Sequence, residues 1–480
     1  MDQHTKSILS IFEDISSIPR CSKHEEQIAK WLKEWAVSHG LSFKYDSMNN
    51  VLITVPASPG YEKSPTVVIQ GHMDMVCEKV GSYVHDFERD PIKLIYDGKW
   101  LRADGTTLGA DNGIGLAMAL KLAKDPDVNH PPLELLFTVD EETSMQGANA
   151  LTPDFISGKI LINLDSEEEG VFIVGCAGGI TSHITMNVTR VLIPASYGIC
   201  KLIAEGMCGG HSGVNIHEKR ANSIKVIATA IDKLMAYDIL LVSIDGGSAH
   251  NAIPRYSQAI VAYSVNNFAE MKSTITQLES ELRAEFGEKE PELSIKIEKM
   301  DSTEKLQSIS PEISKKLVNL LLALPHGVSG MAADMPGLVE TSSNLASVHT
   351  GNVNVTIITS QRSSDKEKLV HLTNRINEIA RSTGAIVHNN EGYPSWKPNM
   401  RSPLLQKCRE VYTSLYHEKP RVKSIHAGLE CAIMGSIFKE LDMISFGPTI
   451  KNPHSPDECL YIPSVSKVWN FLVSLLGAIK

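Results

Sequence analysis

Five short stretches carry side chains able to hold a metal ion: Gly71-His72-Met73-Asp74, Ala110-Asp111-Asn112-Gly113, Asp140-Glu141-Glu142, Asp165-Ser166-Glu167 and Asn452-Pro453-His454-Ser455. Singly, each has an ordinary reading. A histidine after a strand is usually structural, an Asp-Asn-Gly run is a helix N-cap, and paired glutamates form a solvated loop. Together they offer imidazole nitrogen and carboxylate oxygen without sulfur. That donor set suits catalytic zinc and also manganese or cobalt. Two ions sharing one bridging carboxylate need roughly two further ligands each. His72, Asp111, Glu142, Asp165 and His454 make up that number.

The elements that must position these residues can be read from apolar patterning. Runs at 51–55, 66–70, 133–139 and 159–164 have strand character, and the last three lead directly into His72, the Asp140-Glu141-Glu142 stretch and Asp165. In α/β sheets ligands gather at the carboxyl ends of strands, so these sites are expected on one sheet edge. Asp111 opens an apolar helix near 113–124, and His454 follows a strand at 443–446. Two amphipathic helices come first, with Ile8, Ile11, Phe12 and Ile15 on one face and Ile28, Trp31, Leu32 and Trp35 on another. From about residue 180 to 390 the texture changes. Helical patterns at 219–237, 268–286, 311–324 and 365–382 alternate with isolated strands such as 293–299 and 352–359. The α/β style returns after 392 with a helix at 403–416. The expected architecture is α/β in two domains. A catalytic domain in two pieces, 1–180 and 391–480, carries the dimetal site, and an α+β domain at 181–390 is inserted between them.

Composition narrows the function. Hydrophobic residues at 42% are enough for a large core. With 46 basic against 56 acidic residues the net charge is −10, which argues against nucleic acid and anionic membranes as partners. No apolar run approaches the ~20 residues of a membrane span. The first twenty residues are broken by Asp2, Lys6, Glu13 and Asp14, unlike a secretory signal. Eight cysteines without a CxxC pair suggest neither a disulfide framework nor a thiolate zinc site. They are expected to be reduced thiols in a cytoplasmic protein, with Cys77 and Cys176 inert. Gly113-Ile114-Gly115 is only part of a dinucleotide fingerprint, since Met118 takes the third glycine position.

On the motifs His72-Met73-Asp74, Gly109-Ala110-Asp111-Asn112-Gly113, Asp140-Glu141-Glu142, Asp165 and Pro453-His454, the sequence resembles the M20 metallopeptidases. Further stretches resemble the subgroup that cleaves unblocked dipeptides. These are Pro19-Arg20-Cys21-Ser22, Gly209-Gly210-His211-Ser212-Gly213, Arg220-Ala221-Asn222, His250-Asn251-Ala252-Ile253-Pro254 and His426-Ala427-Gly428-Leu429-Glu430-Cys431. The resemblance implies a dizinc dipeptidase acting on unblocked dipeptides, Xaa-His dipeptides such as β-alanyl-histidine among them. Asp111 would bridge the ions, His72 and Asp165 would complete one site, and Glu142 and His454 the other. Asp74 would orient His72, and Glu141 would be the general base on a water held between the ions. Glu141 and Glu142 are expected to diverge as neighbours in an extended segment. The inserted domain resembles a lid and dimerisation domain, in which His211 would contact the tetrahedral intermediate while Asn251 and Arg362 bind the substrate's carboxyl end. A cytoplasmic homodimer is implied. A tripeptidase or N-acyl amino acid deacylase would share the metal site and differ in the lid. A non-catalytic metal-stabilised binding protein would be marked by loss of the base, and Glu141 is present. One departure is Ser144, where the family has glycine; a positive φ there would strain serine.

Overall fold

The structure, a computed structural model, describes residues 1–300, 306–333 and 335–480. It forms two compact units: one made of residues 1–175, 396–424 and 429–480, the other of 176–395 and 425–428.

The first unit is built on an eight-stranded sheet. Its strands run in the order Ser42–Tyr45, Val51–Val55, Leu133–Thr138, Val67–His72, Ile160–Asn163, Asp442–Ser445, Val171–Cys176 and Arg421–Ile425. Strand Val67–His72 is parallel to both Leu133–Thr138 and Ile160–Asn163, which is itself parallel to Asp442–Ser445. The central strands are buried along their whole length, which explains their unbroken apolar runs. Helix Gln3–Ser16, capped by Asp2, and helix Glu26–Ser38 supply Ile8, Phe12, Ile28 and Leu32 to the core beneath the sheet. Helix Ala110–Lys124 is buried almost throughout. Gly71 is required by close approach, since a Cβ there would lie 2.2 Å from Asn112 Oδ1. A small antiparallel sheet pairs Ile450–Lys451 with Cys459–Tyr461, so that residues 452–458 form the loop between two paired strands.

The second unit has a separate core and a nine-stranded sheet. Its long antiparallel pairs are Val339–Thr350 with Asn354–Ser363, and Tyr197–Glu205 with Ser257–Ser264. Helices Ser223–Leu234, Phe268–Phe286, Pro311–Ala323 and Lys366–Ser382 turn apolar faces inward.

Three expectations need correction. Cys21 and Cys77 are not free thiols but a disulfide; the other six cysteines form no disulfide. A parallel bridge between Cys21 and Met75 brings the Cα atoms of Cys21 and Cys77 to 5.7 Å, inside the disulfide range, despite 56 residues of separation. Glu141 and Glu142 do not lie in an extended segment but open a single helical turn, Glu141–Ser144. Ser144 is unstrained, because Asp140 (φ 55°) and Met145 (φ 52°) on either side of the turn carry the positive φ. The Ser144 hydroxyl donates to Asp140 Oδ2.

Candidate metal centre

The parallel strands bring the candidate residues to their carboxyl ends, as the sheet geometry requires. His72 ends its strand, Asp140 leaves Leu133–Thr138 into the turn carrying Glu141 and Glu142, and Asp165 follows Ile160–Asn163. Asp111 sits where helix Ala110–Lys124 departs from helical geometry. His454 comes from the loop between the two short paired strands.

The five predicted ligands come together. Asp111 Oδ1 lies 3.0 Å from His72 Nε2, and Asp111 Oδ2 lies 3.2 Å from His454 Nε2. Each histidine faces one further carboxylate: Asp165 Oδ1 at 3.2 Å from His72 Nε2, and Glu142 Oε2 at 2.9 Å from His454 Nε2. The arrangement has two halves sharing one carboxylate, with an oxygen of Asp111 for each. His72, Asp111 and Glu142 also present one donor atom apiece within 4.8 Å of one another, so the halves adjoin. Among the described residues, Glu142 Oε1 is buried without a hydrogen-bond partner. Buried carboxylate oxygens left unpaired are costly and suit a cation.

The electrostatics point the same way. Hydrogen bonds to Asp111 and Glu142 push His454 up to about 11. Burial would lower His72, but Asp165, Asp111 and Asp74 hold it well above its ordinary value. The site therefore favours positive charge at both imidazoles, which a divalent ion supplies more strongly.

Asp74 organises one side of the centre. His72 Nδ1 lies 3.1 Å from the Asp74 carbonyl and 3.3 Å from Asp74 Oδ1, so Nδ1 carries the proton and Nε2 faces Asp111 and Asp165. Asp74 Oδ1 accepts from the Glu141 amide, and Oδ2 accepts from the Glu142 amide and the Ser22 hydroxyl. Burial alone would raise the Asp74 carboxyl; the hydrogen bonds from His72, Ser22 and Glu141 outweigh it and bring it to about 2. Burial holds Glu141 well above the usual carboxylate range, opposed by His72 and reinforced by Asp165, Glu430 and Glu142.

Several supporting residues are absent from the predicted set. Glu458 accepts from the backbone amides of Leu108, Gly109, Ala110 and Asp111, fixing the segment that presents Asp111. Buried Arg20 donates to the carbonyls of Met73, Asp74 and Gly109. Glu430 Oε2 accepts from Gln70 Nε2 and the Thr138 hydroxyl. Gln70 Oε1 in turn accepts from Asn163 Nδ2, and Asn163 Oδ1 accepts from the Asp165 amide. Arg20 and Glu430 fall inside recognised motifs, but Glu458 has no spacing signature.

The remaining predicted residues lie in the second unit. His211 is on the short strand Gly210–His211, paired with Ala252–Ile253 beside Asn251. His211 and Asn251 both line a cavity of about 700 Å³. His211 Nδ1 accepts from the amides of Gly213 and Val214, leaving the proton on Nε2. Burial, Arg362 and His250 lower its pKa and keep the ring neutral. Arg362 is only 7% exposed and donates to the Tyr393 hydroxyl at 2.7 Å. Its Nε has no partner among the described residues. Gly179 makes room for Tyr393, whose ring would lie 2.6 Å from a Cβ there.

This cluster of shared carboxylate, paired histidines and adjacent glutamates has the donor set of a metallopeptidase, and the chain belongs to peptidase family M20/M25/M40, matched over residues 68–478. It is 39% identical over 473 residues to the cytosol non-specific dipeptidase of Escherichia coli K12, covering 98% of this chain and 96% of that protein. The crystal structure of aminoacylhistidine dipeptidase from Vibrio alginolyticus superposes with a TM-score of 0.93 at 38% identity, covering 99% of this chain and 96% of that one. Aminopeptidase PepT from Bacillus cereus ATCC 10987 shares the fold at TM-score 0.57 and 16% identity, covering 98% of each chain.

Proposed function

We propose that this chain is a metal-dependent dipeptidase that hydrolyses unblocked dipeptides, Xaa-His dipeptides such as β-alanyl-histidine among them. The observation that carries the reading is the position of Asp111, with one oxygen toward each histidine and a further carboxylate behind each. His72, Asp111 and Asp165 would hold one divalent ion, and Glu142, Asp111 and His454 the second, with zinc favoured by the donor set. Such ions, when bound, polarise a peptide carbonyl and lower the pKa of water. Glu141 takes a proton from the attacking water and passes it to the leaving amine nitrogen. Asp74 keeps the proton of His72 on Nδ1 and holds the Glu141–Glu142 turn by its amides. Neutral His211 offers Nε2–H to a developing oxyanion. Arg362 takes the dipeptide's α-carboxylate through its fork, with Asn251 as a second donor. The names of the two similar dipeptidases support the substrate class, and that of the E. coli protein supports a cytoplasmic location. A homodimer completes the reading.

Glu141→Gln tests the mechanism. The variant is expected to retain wild-type metal content while kcat falls by at least ~10²–10⁴. Near-normal turnover would remove Glu141 from the role.

A further inference from the structure

The Cys21–Cys77 disulfide lies against the part of the metal centre that Asp74 organises. Met75 N–H donates to the Arg20 carbonyl at 3.1 Å, and Ser22 N–H donates to the Met75 carbonyl at 3.3 Å. This short pairing places the Ser22 hydroxyl 2.8 Å from Asp74 Oδ2. The disulfide closes it from both sides, joining the residue before Ser22 to the residue two after Met75. Both cysteines are half-buried, and Glu78, Lys79 and Val80 just beyond are exposed, so the disulfide lies close to the surface. The fold has other anchors here. Arg20 holds three carbonyls, and the Thr107 hydroxyl holds the Val76 carbonyl at 2.7 Å. Opening the bond is therefore expected to release the Ser22 pairing rather than unfold the unit.

We propose that Cys21–Cys77 is a site of reversible thiol–disulfide exchange with low-molecular-weight thiols and their disulfides, and that its state sets how firmly Asp74 holds the metal centre. In reduction, the thiolate of one small thiol attacks a cysteine sulfur, forms a mixed disulfide and expels the other cysteine as thiolate. A second small thiolate then displaces the first cysteine and leaves as the small disulfide. The two protons given up by the small thiols go to the cysteines. The protein gains two electrons and two protons, and two thiols are oxidised; oxidation by the small disulfide is the reverse. The closed state is the more active one, because it keeps Ser22 on Asp74. The activity part of this inference rests on the proposed dipeptidase reading.

The test uses the full-length, zinc-loaded protein equilibrated in glutathione buffers of graded redox poise, with free zinc held constant. Alkylation after denaturation, read by mass, should step from six labelled cysteines to eight. Across that step kcat/KM for an unblocked dipeptide, or zinc affinity, should fall by ~10-fold, the lower end of what loss of an outer hydrogen-bond partner costs. C21S/C77S should be fixed at the reduced value in every buffer. Eight labelled cysteines throughout, or unchanged kcat/KM and zinc affinity across the step, would overturn the inference. Should the double variant fail to fold, the wild-type step still decides. Absence of dipeptide turnover in every buffer would instead count against the dipeptidase reading, with the cysteine count and zinc affinity still testing the exchange.

Discussion

Asp74 touches no substrate in the proposed mechanism, yet it meets His72, a proposed metal ligand, and the backbone of both Glu141 and Glu142. Asp74→Ala is accordingly expected to weaken zinc binding or turnover by ~10–100-fold with the fold retained, as zinc titration and circular dichroism would report. Unchanged zinc affinity and rate would assign Asp74 to folding alone. At this scale the sequence was informative where chemistry restricts residue type. Two histidines and three carboxylates at strand ends and a helix start form a donor set that packing alone has no reason to assemble. It was silent on Glu458, because a carboxylate that accepts backbone amides needs no partner of particular type or spacing. The Cys21–Cys77 bond was equally hidden, since it depends on a pairing between segments more than fifty residues apart.

Among elements, the buried parallel strands were legible from their apolar runs, and His72 extends its strand two residues beyond the run that announced it. The four-residue turn Glu141–Ser144 was not, being too short for any helical period and set by positive φ at Asp140 and Met145. The start of helix Ala110–Lys124 depends on Glu458. Glu458→Gln keeps one acceptor oxygen and loses the other, so buried amides at 108–111 go unsatisfied at about 1–3 kcal/mol. The melting temperature should fall, and zinc affinity with it; an unchanged melting curve would deny the capping role. In the second unit, Asn222 caps helix Ser223–Leu234 and its Nδ2 donates to His326 Nδ1 at 3.2 Å. Burial and Lys225 lower His326 from 6.5 to about 4. The unfolded chain therefore binds this proton first, and the stability held above pH 6.5 is lost as pH falls toward 4. His326→Gln keeps an acceptor that cannot titrate, so its melting temperature should drop less over that interval than the wild type's. Parallel curves would show that His326 does not set acid sensitivity.

For the molecule as a whole, family membership covers most of the chain, and the mixed α/β architecture follows from alternating strand and helix patterns. Among the described residues no helix is long and apolar enough to cross a membrane. A metal bound only by the folded state stabilises by mass action, about 2.7 kcal/mol at a hundredfold excess over Kd. Removing metal with a chelator should lower the melting temperature of the first unit, and zinc should restore it. No shift with loaded and stripped protein would argue against a folded-state metal site. The disulfide adds a global consideration, since in a reducing cytoplasm such bonds are usually transient or sensing.

The most direct test of the central claim is amine release from a panel of free dipeptides, including Ala-Ala, Gly-His and β-Ala-His, beside Ala-Ala-Ala and N-acetyl-Ala, each with zinc and with chelator. The account predicts chelator-sensitive cleavage of the dipeptides and neither of the other two compounds. Cleavage of only the tripeptide or the acetylated compound, or no cleavage by folded and metal-loaded protein, would contradict it.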